Sequence, residues 1–219
     1  MAVELTRERI ELAFNAMGSL AAERGLAIEI AVYGGSCLIL ASDIRRASGD
    51  VGAVFLSDNA VVREIAGVVA KRLGLPDDWI NEGVKRMAPP SGNPEPNLLP
   101  YGDYPKGGTM AVGLRVLLPT PRYMLAMKLL ANRAVEDTAK IHGDIEDAVA
   151  LMKVAGISSR EELVVLLKKC YPNVPGIVEP TIHPRIAAKL DSVMDAYAAA
   201  SNFPDPTWHA GTGPATHQR

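Results

Sequence analysis

Apolar residues recur at Ile10, Leu12, Ala13, Ala16, Met17 and Leu20, the spacing of one helix face. Thr6 is placed to cap that helix, Glu8 and Glu11 suit the dipole at its start, and Gly25 stops it after Arg24. Ala27 to Tyr33 is then continuously apolar and β-leaning except at Glu29, which predicts a strand. Gly34-Gly35 allows a tight turn. Ser36 to Ser42 fits a short helix, and Asp50 to Phe55 a second strand opened by its acid. Val61, Val62, Ile65, Val68, Val69 and Leu73 predict an amphipathic helix over Asn59–Leu73, between an Asp58 cap and a Gly74 stop. Pro76 reads as the opening of another helix, running to about Met87, with Asp77 and Asp78 in its first turn and Trp79 and Ile80 on one face.

Ala88 to Gly108 carries six prolines and four glycines, which excludes regular helix and central strand, with room for a short strand near Asn97–Leu99. Tyr101, Tyr104 and Lys106 lie in it, either as part of an ordered surface excursion or as groups able to stack on a base or touch a phosphate. Val112, Leu114, Val116 and Leu118 alternate through a predicted strand over Thr109–Leu118. A helix follows over Arg122–Arg133, with Met124, Met127 and Leu130 as core positions. Ser159-Arg160-Glu161-Glu162 is a capping-box pattern, and Pro184 to about Ala200 is the last helix. Asn202 to Arg219 has little to bury and is expected to fray. The organisation is α+β: an α/β core over 1–120, a helical C-terminal half over 121–201, and a flexible tail over 202–219.

Composition changes this picture little. Hydrophobic residues make up 48% and charged residues 22%, ordinary for a folded domain. The formal net charge of -2 gives no global basic character, while leaving room for a local basic groove. Cys37 and Cys170 stand in no metal spacing, and Cys37 reads as a small core residue. No signal-peptide pattern opens the chain and no apolar run is long enough for a membrane span, so the expected location is the cytoplasm, with no membrane partner.

The candidate chemistry lies in four blocks. Gly34-Gly35-Ser36, a glycine turn feeding a helix N-terminus, is an anion site of the kind that takes phosphate. Arg45 and Arg46 follow, either as solvated loop residues or with a guanidinium that binds phosphate bidentately. Asp50 heads a strand, and in a strand residues i and i+2 share a face, so acids at 50 and 52 would hold a hard cation together. Position 52 is glycine. Lys128 sits within a strongly apolar helix, where a lysine must snorkel outward or meet a charge. Asp144 and Asp147, three apart, share a helix face and serve either as N-terminal caps or as site acids. His142 beside them is a lone histidine.

Gly34-Gly35-Ser36, the Arg46-x-Ser48-x-Asp50 run, the Lys128-Leu129 pair and Asp144-x-x-Asp147, in that order over about residues 27–155, resemble the nucleotidyltransferase superfamily, in particular its abortive-infection toxin-like branch. The resemblance implies a small mixed β-sheet flanked by helices, completed by a helical C-terminal half. It implies transfer of a nucleoside monophosphate from a nucleoside triphosphate to an acceptor hydroxyl, with RNA or a tRNA end as acceptor and a separate antitoxin as partner. Gly34, Gly35 and Ser36 would cradle the phosphates with Arg46 and Ser48. Asp50 would bind Mg²⁺, Lys128 would neutralise the triphosphate, and Asp144 would orient or deprotonate the acceptor. Arg46 is favoured over Arg45.

Gly52 departs from the family's Asp-x-Asp and leaves three accounts: an inactivated variant, which is preferred; a degenerate member that binds nucleotide or a partner; or a site completed by another acid, Asp144 or Asp43. The other class of reading is a non-catalytic nucleotide- or partner-binding module. Many superfamily members carry a third carboxylate on the strand after the proline-rich segment, and here that strand's charged residue is Arg115.

Overall fold

In a computed structural model of the chain, the structure describes residues 4–88, 98–107, 111–131, 138–177, 182–200 and 206–209. These residues form an α+β protein in two compact units. One comprises Met1–Arg86, Leu98–Pro119 and His209–Arg219, the other Met87–Asn97 and Thr120–Trp208.

The first unit opens with β1 (Leu5–Thr6) and α1 (Arg7–Glu23), whose N-cap Thr6 accepts the Arg9 N–H. β2 (Ile28–Tyr33), α2 (Gly34–Ala41), β3 (Ala47–Ser48), β4 (Val51–Phe55) and α3 (Asn59–Leu73) follow, then β5 (Ile80–Asn81), β6 (Leu98–Tyr104) and β7 (Leu114–Pro119). β1 pairs with β3, and the other strands form one mixed sheet in the order β5-β4-β2-β7-β6. Central β2 runs antiparallel to β4 and parallel to β7. Ile28, Ile30 and Val32 with Leu114, Val116 and Leu118 form its buried face, and α1 packs on β6 and β7 and against α3. Across the other face Arg115 bridges Glu29 at 3.7 Å and Asp103 at 3.2 Å. Asp58 caps α3 and Gly74 ends it in the left-handed region, as the sequence predicts.

Several expectations are corrected. Leu12, assigned to the apolar face of α1, is 56% exposed. The segment from Pro76 to Met87 is turns around the short strand β5, because Val51 N–H bonds the Trp79 carbonyl and the buried Trp79 ring donates Nε1–H to Ala66. Part of the proline-rich segment is the seven-residue strand β6, and Pro100 is accommodated because β6 is an edge strand whose register shifts there. β7 begins at Leu114 and leaves Val112 exposed.

The second unit is helical: α4 (Pro121–Leu130), α5 (Thr138–Ala155), α6 (Arg160–Cys170) and α7 (Pro184–Ala199). Thr120 caps α4, the Ser159–Glu162 capping box closes on α6, and α5 packs against α4 and α7. The helix expected over Arg122–Arg133 ends at Leu130 with Ala131 as its C-cap, and Arg133 lies outside the described residues. Within the expected tail, His209 donates its backbone N–H to Ala41 at 2.6 Å. No helix among the described residues is long and apolar enough to cross a membrane.

Candidate functional site

Gly34 and Gly35 follow β2 directly and are the first two residues of α2, so the helix begins at the glycines and not, as expected, at Ser36. Gly34 has φ +69°, a conformation costly for any side chain. Gly35 is closely approached by Ser48: a Cβ there would lie 3.1 Å from Ser48 Oγ and 3.8 Å from Arg45 Cδ. Ser48 and Arg45 thus both stand beside the glycines. Arg46 is exposed and helps line a hollow of about 490 Å³ with Arg7, Arg45 and Asp43. Arg7 donates to the carbonyls of Ile39 (2.9 Å) and Ser42 (3.0 Å), covering the C-terminal end of α2, a role without a sequence signal.

Ser36 is fully buried at the start of α2, and its hydroxyl donates to the Asp50 carbonyl at 2.6 Å. That bond joins the turn to the acid. Asp50 itself is exposed and precedes β4 by one residue. Its Oδ2 accepts a hydrogen bond from Asn81 Nδ2 at 2.6 Å. Gly52, inside β4, is paired with Tyr33 on β2 and Asn81 on β5. A Cβ on Gly52 would meet Val84 Cγ1 at 2.8 Å, so Val84 fills the place a side chain at 52 would need.

The strand beside Asp50 and Gly52 is thus β5, and β7, where a third carboxylate was sought, lies on the far side of β2. Sequence reasoning passed over Asn81 and Val84 because it placed them in a helix. The run Trp79-Ile80-Asn81 before a Gly83 turn is the signal that was available.

Tyr101, Tyr104 and Lys106 turn their polar ends to one internal partner. Glu11 on α1 accepts from Tyr101 OH, from Tyr104 OH at 2.8 Å and from Lys106 Nζ at 2.6 Å. Burial pushes the Glu11 carboxyl up, but donation from Lys106, Tyr101 and Tyr104 outweighs it and leaves the group below its usual value. Both phenols are raised, by burial first and then by the Glu11 carboxylate.

Lys128, Asp144 and Asp147 belong to the second unit and meet there. Lys128 Nζ lies 2.7 Å from Asp144 Oδ1 and 2.6 Å from Asp147 Oδ2, with side-chain exposures of 8%, 2% and 4%. Lys128 is therefore not a snorkelling surface residue. Asp144 and Asp147 sit well inside α5 rather than in its first turn, so they are not caps. His142 is exposed, beside Glu146 at 3.2 Å.

No group of three or more His, Cys, Asp or Glu able to hold a metal ion occurs among the described residues. The Mg²⁺ that the family resemblance implies meets a single carboxylate at 50, one oxygen of which already accepts an amide hydrogen, and no donor at 52. This donor set does not fit a resident ion held by two carboxylates. Comparison of the chain with family models, curated proteins and solved structures finds no match.

Proposed function

We propose that this chain is a nucleotidyltransferase-like protein that binds a nucleoside triphosphate at the turn Gly34-Gly35-Ser36, and that as it stands it transfers nucleotide slowly or not at all. The observation that carries the reading is the bond from Ser36 Oγ to the Asp50 backbone carbonyl, which ties the residue bearing the acid to the glycine-opened first turn of α2. Gly34 and Gly35 keep side chains away from the phosphates, and the first N–H groups of α2 supply donors. Arg45, Arg46 and Ser48 stand on the segment that follows, as cations and a hydroxyl for phosphate oxygens. The lineage reaction is attack of an acceptor hydroxyl, on RNA or a tRNA end, at the α-phosphorus with pyrophosphate leaving, in a toxin held by an antitoxin. Lys128 and Asp144 keep the roles the resemblance gives them only as part of this proposal.

The second reading, a non-catalytic nucleotide- or partner-binding module, is favoured by the neighbourhood of Gly52. Val84 occupies the space of a side chain there, and Asn81 already donates to Asp50 Oδ2. A simple loss of one acid leaves its space empty, whereas here it is taken.

Binding of each of the four nucleoside triphosphates to the full chain, with and without Mg²⁺, tests the first reading and the nucleotide-binding form of the second. Detectable transfer of α-labelled nucleotide to total RNA or to protein excludes the second. Saturable binding lost in Gly35→Val, with little or no transfer, is the expected result. A folded chain that binds none of the four overturns the proposal.

A further inference from the structure

Position 52 is where the resemblance asks for a second acid, yet the neighbour of Asp50 comes from another strand. The β4–β5 register sets Asn81 directly beside Gly52. Asn81 Nδ2 donates to Asp50 Oδ2 at 2.6 Å and lies 3.4 Å from the Asp78 carbonyl. Its Oδ1 accepts the Gly83 backbone N–H at 2.9 Å. Turning the amide over would face its NH₂ to the Gly83 N–H, donor against donor, and its oxygen to a carboxylate, acceptor against acceptor. Asn81 is thus held in the one orientation that offers Asp50 a hydrogen.

We propose that Asn81 is the positioning residue of the Asp50 site, its amide donor standing in for the cation that a second acid at residue 52 would help to hold, so that this chain keeps its carboxylate in place without a resident divalent ion. The proposal rests on the reading of Asp50 as part of a nucleotide site. A neutral donor bonded to a carboxylate gives a charge-assisted hydrogen bond, stronger than one between neutral groups. It adds no negative charge. Affinity for a hard divalent cation follows the ligand charge count, and with glycine at 52 the Asp50–Gly52 pair supplies one. A triphosphate approaching the α2 turn meets one carboxylate rather than two, so less repulsion has to be offset by a metal ion.

Asn81→Asp exchanges the donor for an oxygen and sets two carboxylates in contact. Mn²⁺ titration of the full-length chain, followed by electron paramagnetic resonance, is expected to show weak binding by the wild type. Asn81→Asp is expected to bind about tenfold tighter or better. A folded Asn81→Asp protein with unchanged Mn²⁺ affinity overturns the proposal. A second readout does not depend on that variant folding. The ¹⁵N side-chain amide signal of Asn81 is expected to move when the exposed Asp50 is changed to Asn, and an unmoved signal likewise overturns the proposal. Neither measurement contains nucleotide. A chain that passes both but binds no triphosphate therefore sinks the functional reading and leaves the Asn81–Asp50 pairing standing, and the converse result does the opposite.

Discussion

The ammonium of Lys128 on α4 lies between two buried carboxylates of α5, 2.7 Å from Asp144 and 2.6 Å from Asp147. Breaking such a group from one side leaves like charges together in a low-dielectric interior, at a cost of about 3–5 kcal/mol. Lys128→Met is expected to lower stability to chemical denaturation by that order. Replacing all three members by apolar residues of similar volume is expected to recover most of it. Equal unfolding midpoints for wild type and Lys128→Met would remove the triad as a stabilising element.

The Glu11 cluster predicts a loss of stability at both pH extremes. Glu11 titrates below its ordinary value of 4.5 when folded, so its contribution is full above that pH and lost as pH falls through the lower folded value. Tyr101 and Tyr104 are raised from 10.0, so theirs is full below that pH and lost as pH rises beyond it. Glu11→Gln is expected to flatten the acid side of a stability–pH curve and to lower the neutral plateau by about 1–3 kcal/mol, since three donors lose a charged acceptor. A parallel acid slope in wild type and Glu11→Gln would contradict this assignment.

Gly18 and Gly113 mark the closest approach of α1 to the β6–β7 pair. A Cβ on Gly18 would lie 2.5 Å from the Tyr104 carbonyl carbon, and one on Gly113 would lie 2.0 Å from the Gly18 oxygen. Alanine normally helps a helix interior by roughly 1 kcal/mol over glycine. Gly18→Ala is expected to reverse that sign and cost about 1–3 kcal/mol through overpacking against backbone. Gly67→Ala in α3, where nothing lies within 4 Å, is the control and is expected to stabilise. Thermal unfolding of the two variants side by side measures the contrast.

Gly52→Asp, the change that would restore the family's acid pair, is expected to destabilise by about 1–3 kcal/mol because Val84 Cγ1 stands 2.8 Å from the new Cβ. Pairing it with Val84→Ala is expected to recover part of the loss, read as a coupling energy in a double-mutant cycle. Strictly additive effects would show that Val84 does not close the position.

Local patterns were legible where local causes act. An apolar period with caps located α1 and α3, a capping box located α6, and prolines marked the entries of α4 and α7, while the two glycines marked the exit from β2 that is the first turn of α2. What escaped is set by partners distant in the chain. β5 is two residues long and exists because β4 and the pocket under α3 receive Trp79, Ile80 and Asn81; a proline followed by two aspartates imitates a helix start and carries no trace of that. Glu11 looks like a dipole residue, and its three donors arrive some 90 residues later. Lys128 was visible as an anomaly in an apolar helix and Asp144 and Asp147 as a shared face. Only three-dimensional placement shows them to be each other's partners.

The parallel pairing of β2 with β7 ties residues 28–31 to residues 114–117. During synthesis, the central strand of the sheet emerges long before its second neighbour is made. Until Leu114 leaves the ribosome, one hydrogen-bonding rim of β2 faces whatever else is nearby. The nascent chain is therefore vulnerable over that interval, and a chaperone that shields exposed strands should raise its yield more than that of a protein whose sheet closes between adjacent segments.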